Sequence, residues 1–428
     1  LPKRWPPREK RLHPSRGRTV LILLIPLKQC GINKIIGTNR EMVYDMIIVG
    51  AGLAGLRVGL ETLRKKPSTR ICIVEQYGAA GGRMYTAKQG WEIGAGRIAT
   101  THTKVLRLLH HYGLHTVPIS NTEYQVTETG LVENSFDSLI TTWIQPLTSL
   151  DPDTLGNHTL YQLLAKIHGL TSARSFAPLF PYWSELHTLR ADLAIQSFQA
   201  EFGSKASFVG CVEGLNTIAK RMAADIVDLG GKFRFNTTVT AVRDGTVVVK
   251  GGPSLTASRI VLALHADALR ALSPVKIPAL RHLKMEPLVR MYAVFPKPVW
   301  YKDLPRLVTP GPLRYIIPTK HAIMISYTDG ADAAYWIKKP KGVAEKEVMA
   351  AIRALLPTYS IPDPTEFHIY PWPSGCTYWL PGSYDPAQMI RESLQIQEGL
   401  YACGESLSLK QAWMEGALDS ADDLLRIL

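Results

Sequence analysis

Residues 43–76, VYDMIIVGAGLAGLRVGLETLRKKPSTRICIVEQ, constrain the fold of this chain more than any other stretch. A run of branched residues, 44–49, leads directly into Gly50-Ala51-Gly52-Leu53-Ala54-Gly55. A helical segment follows to about residue 66, and then a second apolar run, 70–74, ends on Glu75 with Gln76 beside it. Strand, glycine turn, helix, strand and acid is the order that a bound dinucleotide requires. Gly50 permits the tight turn, Gly52 keeps a side chain away from a pyrophosphate, and Gly55 lets the helix lie close on the sheet. The helix N-terminus at Leu53 and Ala54 offers N–H groups to the phosphates. Glu75, 20 residues beyond Gly55, is placed to take the two ribose hydroxyls of an adenosine. A lone GxGxxG motif is weak, but here the flanking strand, helix and acid all stand where the ligand needs them.

The next segments narrow the expectation. Residues 78–86, GAAGGRMYT, bring Gly81, Gly82 and Arg83 into a second loop able to approach phosphate, and 89–97, QGWEIGAGR, repeats glycines near a charge at Gly96 and Arg97. Here the chain resembles the flavin-containing amine oxidase family, which includes monoamine and polyamine oxidases, L-amino-acid oxidases and lysine-specific histone demethylases. The resemblance runs over 44–114 and from about 203 to the C-terminus. It implies FAD as cofactor and an α/β fold. That fold has a Rossmann-like flavin domain of the GR2 type and a second, α+β substrate domain on a mixed or antiparallel sheet. The flavin domain is expected from 41–114, 203–286 and 390–428, and the substrate domain from 115–202 and 287–389.

The C-terminal end carries the more specific part of the resemblance. Gly404-Glu405 is followed, eight residues after the acid, by Trp413-Met414-Glu415-Gly416-Ala417. The family pattern implies that Gly404 and Glu405 lie near the flavin ribityl and phosphate. It also implies that the helix opening at Met414, with Ala417 in its first turn, aims its N–H groups at the isoalloxazine. Val239 is expected near the adenine.

The same resemblance assigns the substrate side. Trp413 matches one wall of the family's aromatic cage. The opposite wall falls near Cys376 and Thr377, where this chain has a short polar residue, so Tyr378 or Trp379 is expected to substitute. Cys376 also stands where monoamine oxidases attach the flavin, and both covalent and non-covalent FAD stay open. Arg290 takes the place of a lysine that is water-linked to flavin N5 in many members; it keeps the charge but cannot act as a base. An ordinary outward strand arginine is the other reading. Arg97 resembles the arginine with which L-amino-acid oxidases clamp a carboxylate, a task suited to a bidentate guanidinium, or else it is a surface or phosphate-side arginine.

The implied reaction is oxidation of a C–N bond of an amine or L-amino acid by hydride transfer to flavin N5, with dioxygen restoring the cofactor. Two alternatives stand beside it. One is a desaturase-like or isomerase-like flavoenzyme that uses dioxygen poorly, and the other is a flavoprotein with a structural or nucleic-acid-associated role.

Charge bears on that last alternative. Of a net charge of +13, residues 1–40 carry ten Lys or Arg against Glu9 alone, so this leader holds +9 and the rest only +4. It reads either as a proline-punctuated disordered arm or as a contact to nucleic acid or an anionic surface. Its apolar piece, 19–27, is too short to span a bilayer, and a chain beginning at Leu1 suggests a processed or truncated product. The 428 residues, 46% hydrophobic, suffice for two domains. Helices are expected near 105–112, 160–167, 186–198 and 215–229, and strands at 232–236, 239–242, 247–250, 259–264, 288–295 and 322–327. Five scattered cysteines, with no metal-like pair, imply a reducing intracellular compartment and no zinc site.

Overall fold

The run MIIV cannot expose either face of a strand to water, so Val43–Val49 needs neighbours on both sides and helices above and below. It pairs in parallel with Leu255–Leu262, Ile47 opposite Ile260, and with Ile71–Val74, Ile47 opposite Cys72. The full order of this eight-stranded sheet is Gln395–Gln397, Leu400–Ala402, Leu255–Leu262, Val43–Val49, Ile71–Val74 and Lys232–Arg234. A side ladder of Thr246–Val249 and Val239–Arg243 hangs from Leu255–Leu262. The computed structural model describes residues 43–428 apart from 121, 135, 202–206, 273, 320 and 321; the basic leader and Cys30 lie outside the described residues.

The helix Leu53–Lys65 buries Leu56, Leu60 and Leu63, spaced at helical period, against the sheet. It packs between the C-terminal helix Met414–Leu425 and the helix Asn216–Asp228. Arg57 donates to Asp422 at 2.9 Å across the first of these contacts. Helices more than 340 residues apart in sequence are therefore side by side in one layer.

A second sheet has seven strands in the order Glu366–Trp379, Leu283–Val294, Ile323–Asp329, Tyr315–Pro318, Arg306–Val308, Glu123–Thr127 and Gly130–Asn134. All its pairs are antiparallel except Arg306–Val308 with Glu123–Thr127. Glu366–Trp379 contains Pro371 and Pro373 and lies at the sheet edge, where a missing N–H breaks no ladder. A small sheet joins Ile98–Ala99 and Thr116–Ile119 to Phe208–Cys211.

Three expectations shift in detail. The helix expected over 186–198 is two, Trp183–His187 and Ala191–Glu201. Between them the buried backbone leaves the helix, Arg190 N–H donating to the Trp379 carbonyl at 3.0 Å and Ala191 N–H to the His158 carbonyl at 2.8 Å. The strand expected at 232–236 stops at Arg234, because Asn236 and Thr237 donate instead to the carbonyls of Tyr77 and Glu75. The strand expected at 288–295 begins earlier, at Leu283, since the long edge strand pairs along nearly all of its length.

Candidate active site

At the end of the first strand the chain turns through Gly50, whose φ of +105° suits glycine. A Cβ there would run into the Ala263 carbonyl, and one on Gly55 into the Gly50 carbonyl. Gly52 differs, since a Cβ on it would meet nothing within 4 Å. That open face lies at the start of Leu53–Lys65, a helix with no side-chain cap and no acid in its first turn. The second glycine loop closes beside it: Gly81 N–H donates to Ala51 at 2.9 Å, and a Cβ on Gly82 would lie 3.4 Å from the Gly52 Cα. Glu75 accepts from the N–H groups of Ala51 at 2.9 Å and Tyr77 at 3.0 Å, and burial pushes its carboxyl above the usual range. Gln76 next to it is exposed, and Val239 is half-buried at the start of the side ladder. Two glycine turns with bare backbone at a helix N-terminus, an acid behind them, could hold a pyrophosphate and its ribose.

Arg83 ties this corner to the far end of the chain. Its Nη1 donates to the Gly375 carbonyl and its Nη2 to Glu405, each at 2.9 Å. Glu405 also accepts from the backbone and hydroxyl of Thr377, at 3.1 and 3.0 Å, and from Ala412 N–H at 2.7 Å. Thr377 is fully buried, with Ser406 and Met285 as its other neighbours, so it belongs to this tie rather than to a cavity wall. Cys376, one residue earlier, is half-buried, and burial raises its thiol. Gly404, at φ +135°, donates to Ser420 at 3.1 Å, while Met414 is buried and Ala417 half-buried on the C-terminal helix. Glu415 in that helix accepts from Lys104 and Val105 N–H, both at 3.0 Å, and so caps a neighbouring helix, Thr103–His111.

The two arginines singled out from sequence both point inward. Arg290, 8% exposed, donates to the Glu92 carbonyl at 3.1 Å and lies 5.0 Å from the Tyr327 ring, its cross-strand partner. Its guanidinium presses on Gly96, where an added Cβ would come within 3.0 Å of Cζ. Arg97 precedes the short strand Ile98–Ala99, whose pairing with Phe208–Cys211 brings it under three rings. Its Cζ lies 4.5 Å from Phe208, 5.1 Å from Tyr182 and 5.5 Å from Trp413. Burial opposes its charge, but the hydroxyls of Tyr182, Tyr327 and Tyr315 hold it firmly protonated. Trp413 is stacked on Phe208 at 6.0 Å and meets His102 edge-on at 4.9 Å.

Tyr378 and Trp413 line a cavity of about 660 Å³ between Ala191–Glu201, Pro386–Leu394 and the C-terminal helix. None of the residues of the glycine turns lines it. A third lining residue, Glu185, was not visible from sequence. Its Oε1 accepts from the Tyr378 hydroxyl at 3.2 Å, and its Oε2 is buried with no partner among the described residues. Burial, with the Asp329 charge beside it, pushes the Glu185 carboxyl up to about 8. Asp329 itself accepts from the N–H groups of Trp183 and Ser184, at 3.0 and 2.8 Å, and fixes the short helix that carries Glu185. With two N–H donors on Asp329 and one hydroxyl on Glu185, the proton of this pair belongs on Glu185. No sequence signal marks Glu185, because its helix is one turn long in an insert without a motif.

The family described as flavin containing amine oxidoreductase matches residues 167–423. The chain belongs to it. Among solved structures, a putrescine oxidase redesigned in its cofactor binding is similar at 18% identity, with TM-score 0.71, over 90% of this chain and 100% of that one. The cyclohexylamine oxidase from Brevibacterium oxydans IH-35A is similar at 19% identity and TM-score 0.70, over 90% and 99%. The chain thus shares with them an α/β fold with mixed sheets. Among its described residues no helix is long and apolar enough to cross a membrane, and no group of three or more His, Cys, Asp or Glu could hold a metal.

Proposed function

We propose that the protein is an FAD-dependent oxidase acting on the C–N bond of an amino acid or amine, with the two large sheets as flavin and substrate domains. The observation that supports this most is the Gly52 open face with the Gly81–Gly82 loop closed beside it, and the Arg83–Glu405 tie that leads from that loop to the segment before the C-terminal helix. Gly50, Gly52 and Gly55 with Glu75 would hold the adenosine half. Gly404, Met414 and Ala417 would border the flavin half, where the C-terminal helix's positive end favours developing negative charge. Bound FAD supplies the hydride acceptor and the route of electrons to dioxygen.

The protein's own residues bind and orient. Arg97, held charged, would take a substrate carboxylate, and Trp413 would flank the carbon to be oxidised. Arg290, buried beside Gly96, would fix water or the cofactor edge without accepting a proton. That substitution of arginine for lysine is also the observation favouring the second reading, a flavoenzyme that uses dioxygen poorly. A peroxide screen against paired amino acids and amines, followed by anaerobic flavin bleaching, tests both. Bleaching without peroxide selects the second reading, and no bleaching by any of these compounds removes the oxidase. We further propose non-covalent FAD, because a thiol raised by burial supplies little thiolate for attachment at Cys376.

A further inference from the structure

Glu185, half-buried as a residue, combines two features. It lines the cavity that also touches Trp413, and one of its oxygens is buried without a donor. A buried carboxyl oxygen left this way needs a donor or a proton. The charged and titratable groups that act on it come from three elements. They are Asp329 at the end of Ile323–Asp329, Tyr378 and Cys376 on the edge strand, and Arg97 before Ile98–Ala99. Asp329 is committed to two backbone N–H groups, and Arg97, a cation outside the cavity wall, favours the ionised Glu185 only weakly against burial and Asp329. The lysines that line the same cavity, Lys104 and Lys410, are paired with Asp419 at 2.7 and 3.0 Å. No lysine of the cavity wall is thereby left to answer Glu185.

We propose that Glu185 is the docking point for the substrate's ammonium group, and that together with Arg97 it selects a molecule carrying both charges, an α-amino acid zwitterion. The second half rests on the Arg97 reading above; the first does not. On docking, the ammonium group enters as R–NH3+ and the neutral Glu185 carboxyl gives its proton to solvent. The complex then holds a carboxylate against an ammonium, and one proton is released. The ion pair is made where Arg97 already favours the ionised acid, and Asp329 adds negative charge toward the incoming cation. Tyr378 keeps its hydrogen bond to Oε1 throughout, leaving Oε2 for the ligand.

The test uses two ligands that cannot be oxidised, because neither bears hydrogen on the carbon next to nitrogen: α-methylalanine and tert-butylamine. They differ by a carboxylate in place of a methyl group. Calorimetric titration of the flavin-loaded protein in buffers of different ionisation enthalpy reads protons released per ligand. Near pH 7 the wild type should release about one proton with either ligand, and near pH 9.5 almost none. Glu185→Gln should abolish the release and weaken both ligands about tenfold or more, the order of one charged hydrogen bond. Infrared difference spectra of the wild type should show a protonated-carboxyl band vanishing on binding, which decides the matter even if the variant fails to fold. Arg97→Ala should weaken α-methylalanine alone; equal effects on both ligands would remove the clamp and leave Glu185 standing. Failure of tert-butylamine to bind, an unchanged proton release in Glu185→Gln, or a persisting carboxyl band would each overturn the proposal.

Discussion

Arg97 and Arg290 carry like charges, yet they are held in different ways, and single substitutions should separate them. Arg97 lies under Phe208, Tyr182 and Trp413 and is kept charged by tyrosine hydroxyls. Replacing it by Ala should cost an amino-acid substrate about 2 kcal/mol of binding, or about 30-fold, while a matched amine changes little. Steady-state kinetics on an amino acid and its decarboxylated amine measure the difference. Arg290 instead rests on Gly96 and donates to Glu92. Arg290→Lys should speed flavin reoxidation after reduction without altering substrate preference, read by stopped-flow absorbance; an unchanged reoxidation rate would separate this residue from the oxidative half-reaction. Both arginines could be singled out in the sequence because each follows a recognisable stretch. The gathering of Glu185, Tyr182 and Phe208 into the candidate site was not legible, since it comes from a three-dimensional meeting of the insert with the small three-stranded sheet.

Among the elements, the glycine turn after Val43–Val49 gives the sharpest contrast. Gly52→Ala adds a methyl group where the fold has room, so the apoprotein should keep its stability within about 0.5 kcal/mol. Its flavin content after purification should nonetheless fall well below the wild-type value, measured as the ratio of flavin to protein absorbance. Gly50→Ala meets the Ala263 carbonyl and a positive φ, and should destabilise the fold itself by about 1–3 kcal/mol. If the two variants behave alike, the open face at Gly52 has no bearing on the cofactor. The strand, turn, helix and strand of this unit follow the sequence pattern closely because its apolar runs and glycines are local signals. The long edge strand Glu366–Trp379 was hidden because Pro371 and Pro373 read as breakers, and only its place at the sheet margin makes them harmless.

For the molecule as a whole, the raised Glu185 carboxyl predicts a direction for stability against pH. Above about 4.5 the unfolded chain has released this proton while the fold retains it. The folded state therefore binds more protons, and stability falls as pH climbs until the folded group ionises too, near 8. Glu185→Gln removes this penalty, so its melting temperature should exceed that of the wild type at pH 8 and match it near pH 4.5. Equal melting temperatures at both values would place an ordinary carboxyl at residue 185.

The bond between Arg83 and Glu405 spans 322 positions of sequence, and it sets an order of events during synthesis. Gly50 to Glu75, proposed above to grip the adenosine half, are made early, but the partner of Arg83 and the helix from Met414 follow more than 300 residues later. A nascent chain halted before Glu405 would carry a complete glycine turn, with Arg83 and Thr377 lacking the carboxylate they share and with no helix from Met414. On the proposed FAD reading, flavin capture becomes a late event that seals the fold, and a cell short of flavin would accumulate chains with the helix from Met414 undocked and open to proteolysis.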